Sequence, residues 1–141
     1  AMNAGGPARA IEVCQQDAPA IAARLSAQSG ARVSRTALRL RNSANAPDRP
    51  AREVLEDFRH VLAADAAEPP ERFESRPGGG ARYMKAILTQ PQCLACHGAQ
   101  VSPEVEAALA RHYPGDQATG FAAGELRGAF LIDWPSPESP P

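Results

Sequence analysis

The chain has 141 residues, enough for one domain, and 43% of them are apolar, enough for one core. Fifteen Lys and Arg stand against 16 Asp and Glu, a formal net charge of −1, so no overall field draws the chain to nucleic acid or to an anionic membrane. Aromatic residues make up only 5%, and a core so short of large rings gains much from an apolar cofactor.

Ala occurs 29 times and Gly plus Pro 25 times, a composition of Ala-rich helices between well-punctuated loops. Residues 1–7, beginning Ala1-Met2-Asn3-Ala4, read as a scar or flexible end, with room upstream for a signal or anchor. A first helix spans about residues 8–29, because Ile11, Cys14, Ala18, Ala22 and Leu25 fall at offsets 0, 3, 7, 11 and 14, one stripe of a helix. Pro19 is expected to kink or divide it and Gly30 to end it. Val33–Leu40 alternates as a half-buried strand, with Val33, Arg35, Ala37 and Arg39 on one face, and a polar turn follows over Asn42–Pro50.

From Ala51 to Asp65 the residues Val54, Leu55, Phe58, Val61 and Leu62 fall at offsets 0, 1, 4, 7 and 8, an amphipathic helix. Arg72–Arg76 and Ala81–Leu88 flank Pro77-Gly78-Gly79-Gly80 and read as a hairpin; no helix signal follows the glycines, which speaks for a plain turn over a phosphate cradle. Ser102 as N-cap and Pro103 at the first position open a helix that runs to about His112. A polar loop over Tyr113–Gly124 leads to a last strand, Leu126–Trp134, and residues 135–141, four of them Pro, form a linker-like tail. No apolar run reaches the roughly 18 residues of a membrane span. The order predicts one α+β domain over residues 8–134, with an antiparallel sheet.

Cys93-Leu94-Ala95-Cys96-His97 fits C-x-x-C-H. Two thiols about one turn apart can add to the two vinyl groups of one porphyrin, and the next residue, His97, can then bring an imidazole nitrogen to the iron. A thioredoxin-like dithiol calls for a βαβ setting and a zinc site for a second ligand pair, and neither companion signal is visible. Two buried cysteines beside a chance histidine is the plain alternative. Bacterial thioether attachment takes place outside the cytoplasmic membrane, so a periplasmic or otherwise extracytoplasmic location is expected.

The group opposite His97 decides the chemistry of such an iron. Cys14, His60, His112, Met2 and Met84 are the candidates. His60 lies about 200° from the centre of its helix's apolar face and points to water. His112 falls on the apolar side of its helix, where it can ligate or simply pack. Met84 alternates with Ala86 and Leu88 as core filling, and Met2 lies at the chain's end. Cys14 sits on an apolar stripe as a small hydrophobe would, yet Gln15, Gln16 and Asp17 follow it, the polar donors an anionic thiolate needs.

Cys14-Gln15-Gln16-Asp17-Ala18-Pro19, Leu38-Arg39-Leu40-Arg41-Asn42 with Asn45-Ala46-Pro47-Asp48, Cys93–Gly98, Tyr113–Gly120 and Arg127-Gly128-Ala129 together resemble one family. It is the family of PAS-like c-type haem domains, long described as a domain of unknown function and found alone or as extracytoplasmic inputs of membrane-bound kinases and chemoreceptors. The resemblance runs over roughly residues 8–134, with Ser43 departing from the Pro or Gly common at its position. It implies a PAS-like antiparallel sheet flanked by helices, one covalent haem c, and His97 and Cys14 as the axial pair. A thiolate ligand implies a low potential, and its weakening on reduction implies a place for a diatomic gas such as NO or CO.

Arg39, Arg41 and Arg127, in matching segments, are candidates for the haem propionates, since the Arg fork matches a carboxylate; ordinary solvent-facing arginines are the alternative. Tyr83 and Tyr113 either hydrogen-bond near the haem or pack. The expected function is redox or gas sensing with a signalling partner, and the alternative is a low-potential electron-transfer cytochrome with a redox partner. An enzyme is not expected, because Cys14 ligation leaves no open site with an acid–base residue. The single lysine, Lys85, offers no basic docking patch for a redox partner, which tilts the reading toward sensing.

Overall fold

The computed structural model describes residues 2–64 and 68–136; Asp65, drawn above as the end of a helix, residue 1 and residues 137–141 of the Pro-rich tail lie outside them. The first helix, α1, runs over Met2–Ser29 with a break at Gly6 (φ 72°, ψ −177°), so the residues read as a loose end are helical. Pro19 does not kink it, because no dihedral departs from helical values there. The carbonyl of Gln15 loses its intrahelical partner at that turn, where Pro19 itself is exposed. Gly30 ends the helix as expected, at φ 68°, its N–H bonding Ser26 O at 3.1 Å.

Strand β1 covers Arg32–Thr36, ending four residues before the alternation predicts. It stops because the backbones close up: a Cβ on Gly128, across the sheet, would lie 2.5 Å from Thr36 O. Buried Thr36 then turns the chain by donating to Asn45 O at 2.9 Å, and Arg39 and Arg41 stand on a loop instead of a strand. Asp48 caps helix α2 (Arg49–Ala63), accepting from Ala51 N at 2.9 Å. Ala51, Val54, Leu55 and Phe58 are buried as the pattern requires, but Val61 is 47% exposed, and His60 points outward.

β2 (Glu71–Ser75) and β3 (Ala81–Leu88) form the hairpin, and β4 (Leu126–Trp134) completes an antiparallel sheet in the order β1-β4-β3-β2. Its inner face sets Met84, Ala86, Ala129 and Leu131 against α2. The short helix α3 (Leu94–His97) and helix α4 (Pro103–His112), capped by Ser102, lie in the β3–β4 connection. A second core of Ile11, Val105 and Leu109 joins α1 to α4.

Arg82 is the one charged side chain buried in the sheet among the described residues. Its guanidinium forks onto Asp48 (2.8 and 2.8 Å) and onto Asp133 (2.7 and 3.1 Å). Asp48 therefore caps α2 and holds it to the sheet at once, and the Arg82 hydrogen bonds keep its carboxyl down at about 2. Replacing Arg82 by Met should cost about 3 kcal/mol in urea melts, because half-buried Asp133 loses its main partner and keeps only the more exposed Arg76 at 3.1 Å. A carboxyl held low contributes stability that is complete above its ordinary range and lost as the pH falls through about 2. Asp48→Asn should flatten that acid limb of the stability profile.

Candidate functional site

A one-turn 3-10 helix, Pro91–Cys93, feeds directly into α3, so Cys93 and Cys96 stand one turn apart with His97 behind them. Gly98 ends α3 by donating to Leu94 O at 2.9 Å. Only glycine fits, since a Cβ there would lie 2.6 Å from Leu94 O. Phe121 N then bonds His97 O at 2.9 Å and Gly120 N bonds Gly98 O at 2.8 Å. The motif is thus pinned to the loop before β4. Both motif cysteines are half-buried free thiols, and burial raises the pKa of Cys96.

His97 Nδ1 lies 2.6 Å from Ala118 O. A carbonyl accepts only from an N–H, so this contact puts the proton on Nδ1 and the lone pair on Nε2. Burial, with Arg127 and Arg41 nearby, pulls the imidazole pKa down to about 4 against the opposing pull of the Ala118 bond. The ring is therefore neutral at ordinary pH, and its acceptor nitrogen, Nε2, faces Arg41 Nη1 and Arg127 Nε, each at 3.5 Å. The Phe121 ring meets it edge-on at 6.3 Å.

Three arginines converge here. Arg41 pairs with nearly buried Asp116 at 3.0 Å and donates to Cys96 O at 2.6 Å, with its Nη1 3.5 Å from His97 Nε2. Arg39 lies over the Phe121 ring at 4.2 Å and donates to the carbonyls of Gln117 and Thr119. The register slips between Ile87 and Leu88, which leaves Arg127 opposite no β3 residue and turns it to Arg39 O (3.3 Å) and the His97 ring. Of the three, only Arg41 has a carboxylate partner among the described residues. Burial, and then Arg41, lower the Arg127 pKa to about 10.

Cys14 is exposed, a departure from the buried stripe expected of it. The packed line along α1 is Ile11, Gln15, Ala18, Ala22 and Ser26, one position round from Cys14, because Ile11 sets the helix against α4. Cys14 still lies near enough to the motif that a thiolate there would raise the pKa of Cys96 and of Tyr113. The adjacent Gln15 clasps the end of α4, donating to His112 O at 3.3 Å while its Oε1 meets His112 Nδ1 at 2.8 Å. His112 is thereby engaged with Gln15. Tyr113 is half-buried beside a cleft of about 340 Å³ lined also by Gln15, Leu40, Arg41 and His112.

Tyr83 is not brought here. It lies between inward-facing Arg82 and Met84, so strand alternation sends it to the outer face, where its hydroxyl donates to Glu71 at 2.7 Å. Met84 is fully buried in the main core. The residues that single-residue reasoning missed are Ala118, Asp116, Phe121 and the Gln15–His112 pair. Asp116 had a local signal, an Asx turn in which Oδ1 accepts from Ala118 N at 2.8 Å.

Residues 2–135 match the family described as "Tll0287-like: Tll0287". No curated protein matches the chain significantly. A solved structure, described as that of the cyanobacterial heme-protein Tll0287, shares 28% identity at a TM-score of 0.72, over 91% of this chain and 74% of that one. The fold is accordingly α+β with a PAS-like antiparallel sheet, as the motifs had implied. A match that runs almost end to end, together with this shared architecture, places the chain in the Tll0287-like family.

Proposed function

We propose that the chain binds one haem c through Cys93 and Cys96, with His97 Nε2 on one side of the iron and Cys14 Sγ on the other, and that it works as an extracytoplasmic redox or gas sensor. The observation that carries this is the 2.6 Å contact of His97 Nδ1 with Ala118 O. Metal-binding histidines are oriented in this way, by a hydrogen bond from the other ring nitrogen. The donor set fits the group: two thiols one turn apart, a neutral imidazole, and two guanidiniums without a carboxylate partner among the described residues, exposed Arg39 and part-buried Arg127, that an anionic propionate pair would satisfy.

Haem iron supplies a one-electron change of charge and, when a coordination position opens, affinity for diatomic gases. The protein's part is to hold the two sides unequally. His97 is fixed on three counts, by Ala118, by Gly98 and by the Phe121 backbone. Cys14 stands exposed on a helix held beside it by Ile11 and by the Gln15 clasp. The thiol is the side free to leave, and α1 is the element such a departure would move. A signalling partner reading α1 fits this asymmetry better than an electron-transfer partner, for which both ligands must stay.

Protein made in a host that matures c-type cytochromes should keep its pigment in acidified organic solvent. Colourless protein, or full extraction, would refute covalent attachment. Cys14→Ala should turn the ferric optical spectrum from low-spin to high-spin or water-ligated with the pigment retained; an unchanged spectrum removes Cys14 from the iron. Ferrous protein should take up CO or NO rapidly, whereas a six-coordinate spectrum indifferent to both gases supports electron transfer. Asp116→Ala should cost about 2 kcal/mol in urea, as Arg41 and the Ala118 N–H lose one shared acceptor; Asp116→Asn, which keeps an acceptor oxygen, should lose less.

A further inference from the structure

Helix α2 covers one face of the sheet, and the other carries an exposed apolar surface. Phe73 is 62% exposed, Phe130 48% and Trp134 38%. Strand alternation and the pairing register assign these residues to the same outer face. One row across the four strands reads Val33–Ile132–Tyr83–Phe73. The neighbouring row reads Arg35–Phe130–Lys85–Glu71. Large rings left on an open sheet face mark a surface that another molecule covers.

The order of charges within the second row selects the occupant. A basic residue stands at one edge, an acidic one at the other, and an aromatic ring lies beside a lysine between them. Two copies stacked face to face about a two-fold axis parallel to the strands set β1 over the partner's β2 and β4 over its β3. Arg35 then meets Glu71 of the second copy, Phe130 meets Lys85, Val33 meets Phe73, and Ile132 meets Tyr83. Each contact occurs twice, as an isologous interface requires. A two-fold axis across the strands, run midway between the rows, instead lays the charged row on the apolar row and buries Arg35, Lys85 and Glu71 against hydrocarbon, and one run along the charged row sets Arg35 on Arg35 and Glu71 on Glu71, like charge on like.

The residues themselves suit the first arrangement. Arg35 is exposed and has no carboxylate partner among the described residues. Glu71 is already ordered toward solvent by the Tyr83 hydroxyl at 2.7 Å and Lys85 Nζ at 3.3 Å. A lysine over an aromatic face adds a cation–π contact. Aligned sheets cross at about 30°, which shifts edge residues by no more than a side chain can span.

We propose that this outer face is the interface of a homodimer in which the two sheets stack about an axis parallel to their strands. Four strands are only about 19 Å wide, so the interface is small and association belongs in the micromolar range. The inference does not rest on the haem reading, since none of its contacts involves the proposed haem ligands.

Sedimentation velocity of the full chain between about 1 and 500 µM should show a monomer–dimer equilibrium. Phe130→Glu should weaken it at least tenfold, with circular dichroism unchanged because the ring is already exposed. Arg35→Glu should weaken it severalfold, and adding Glu71→Arg in the same chain should restore it. A chain that stays monomeric across the range overturns the proposal, as does a dimer indifferent to Phe130→Glu. Failure of the double exchange to restore association overturns the strand-parallel arrangement.

Discussion

The hydrogen bond between His97 Nδ1 and the Ala118 carbonyl is the constraint around which the site is arranged. It settles the tautomer, and with it the direction in which the one good lone pair points. A bond of this kind is only as firm as the carbonyl's own support. Ala118 is fully buried, its N–H is taken by Asp116 Oδ1, and its carbonyl also accepts from Arg41 at 3.2 Å. Gln117 N in turn bonds Leu40 O at 2.7 Å, which ties the loop to the segment carrying Arg39 and Arg41. Three stretches distant in sequence thus meet at one ring.

The same convergence carries an electrostatic cost. Two guanidiniums, Arg41 and Arg127, approach one imidazole, a third, Arg39, lies over the neighbouring Phe121 ring, and Asp116 is the single carboxylate among them in the described residues. Removing a cation from water is expensive, and a neighbouring like charge adds to the expense. Arg127 registers both, its pKa falling to about 10. Backbone carbonyls and the Phe121 face offset part of this through hydrogen bonds and cation–π contacts. Folds retain such surpluses of one charge where a ligand of opposite charge completes them.

The two ends of the chain's long helix are held very differently from its middle. Ile11 is buried between Val105 and Leu109, and Ser26 Oγ accepts from the β1 edge at Val33 N (2.8 Å). Between these anchors Gln15 makes the described contacts with His112, while Cys14, Ile21 and Leu25 lie exposed. Local stability follows the density of buried contacts, so α1 is held firmly around Ile11 and Gln15, on either side of Cys14, and least over Pro19–Leu25.

Elements written in local pattern were legible from the residues alone. The α2 period, the Ser102 start and the Gly30 stop, the glycine-tipped hairpin and the Leu126–Trp134 strand each follow from forces acting within a few residues: steric limits on φ, capping, and alternation of apolar side chains. The C-x-x-C-H spacing is local in the same sense, and so carried the expectation of a haem. What the tertiary structure decided were choices made by distant partners. Gly128 lets two backbones approach and so ends β1 early, which puts Arg39 and Arg41 on a loop. A register slip turns Arg127 toward His97, and packing of Ile11 on α4 rotates Cys14 into the open. Periodicity can state that a side chain has a face; which face meets another element depends on contacts that close only when segments about a hundred residues apart come together.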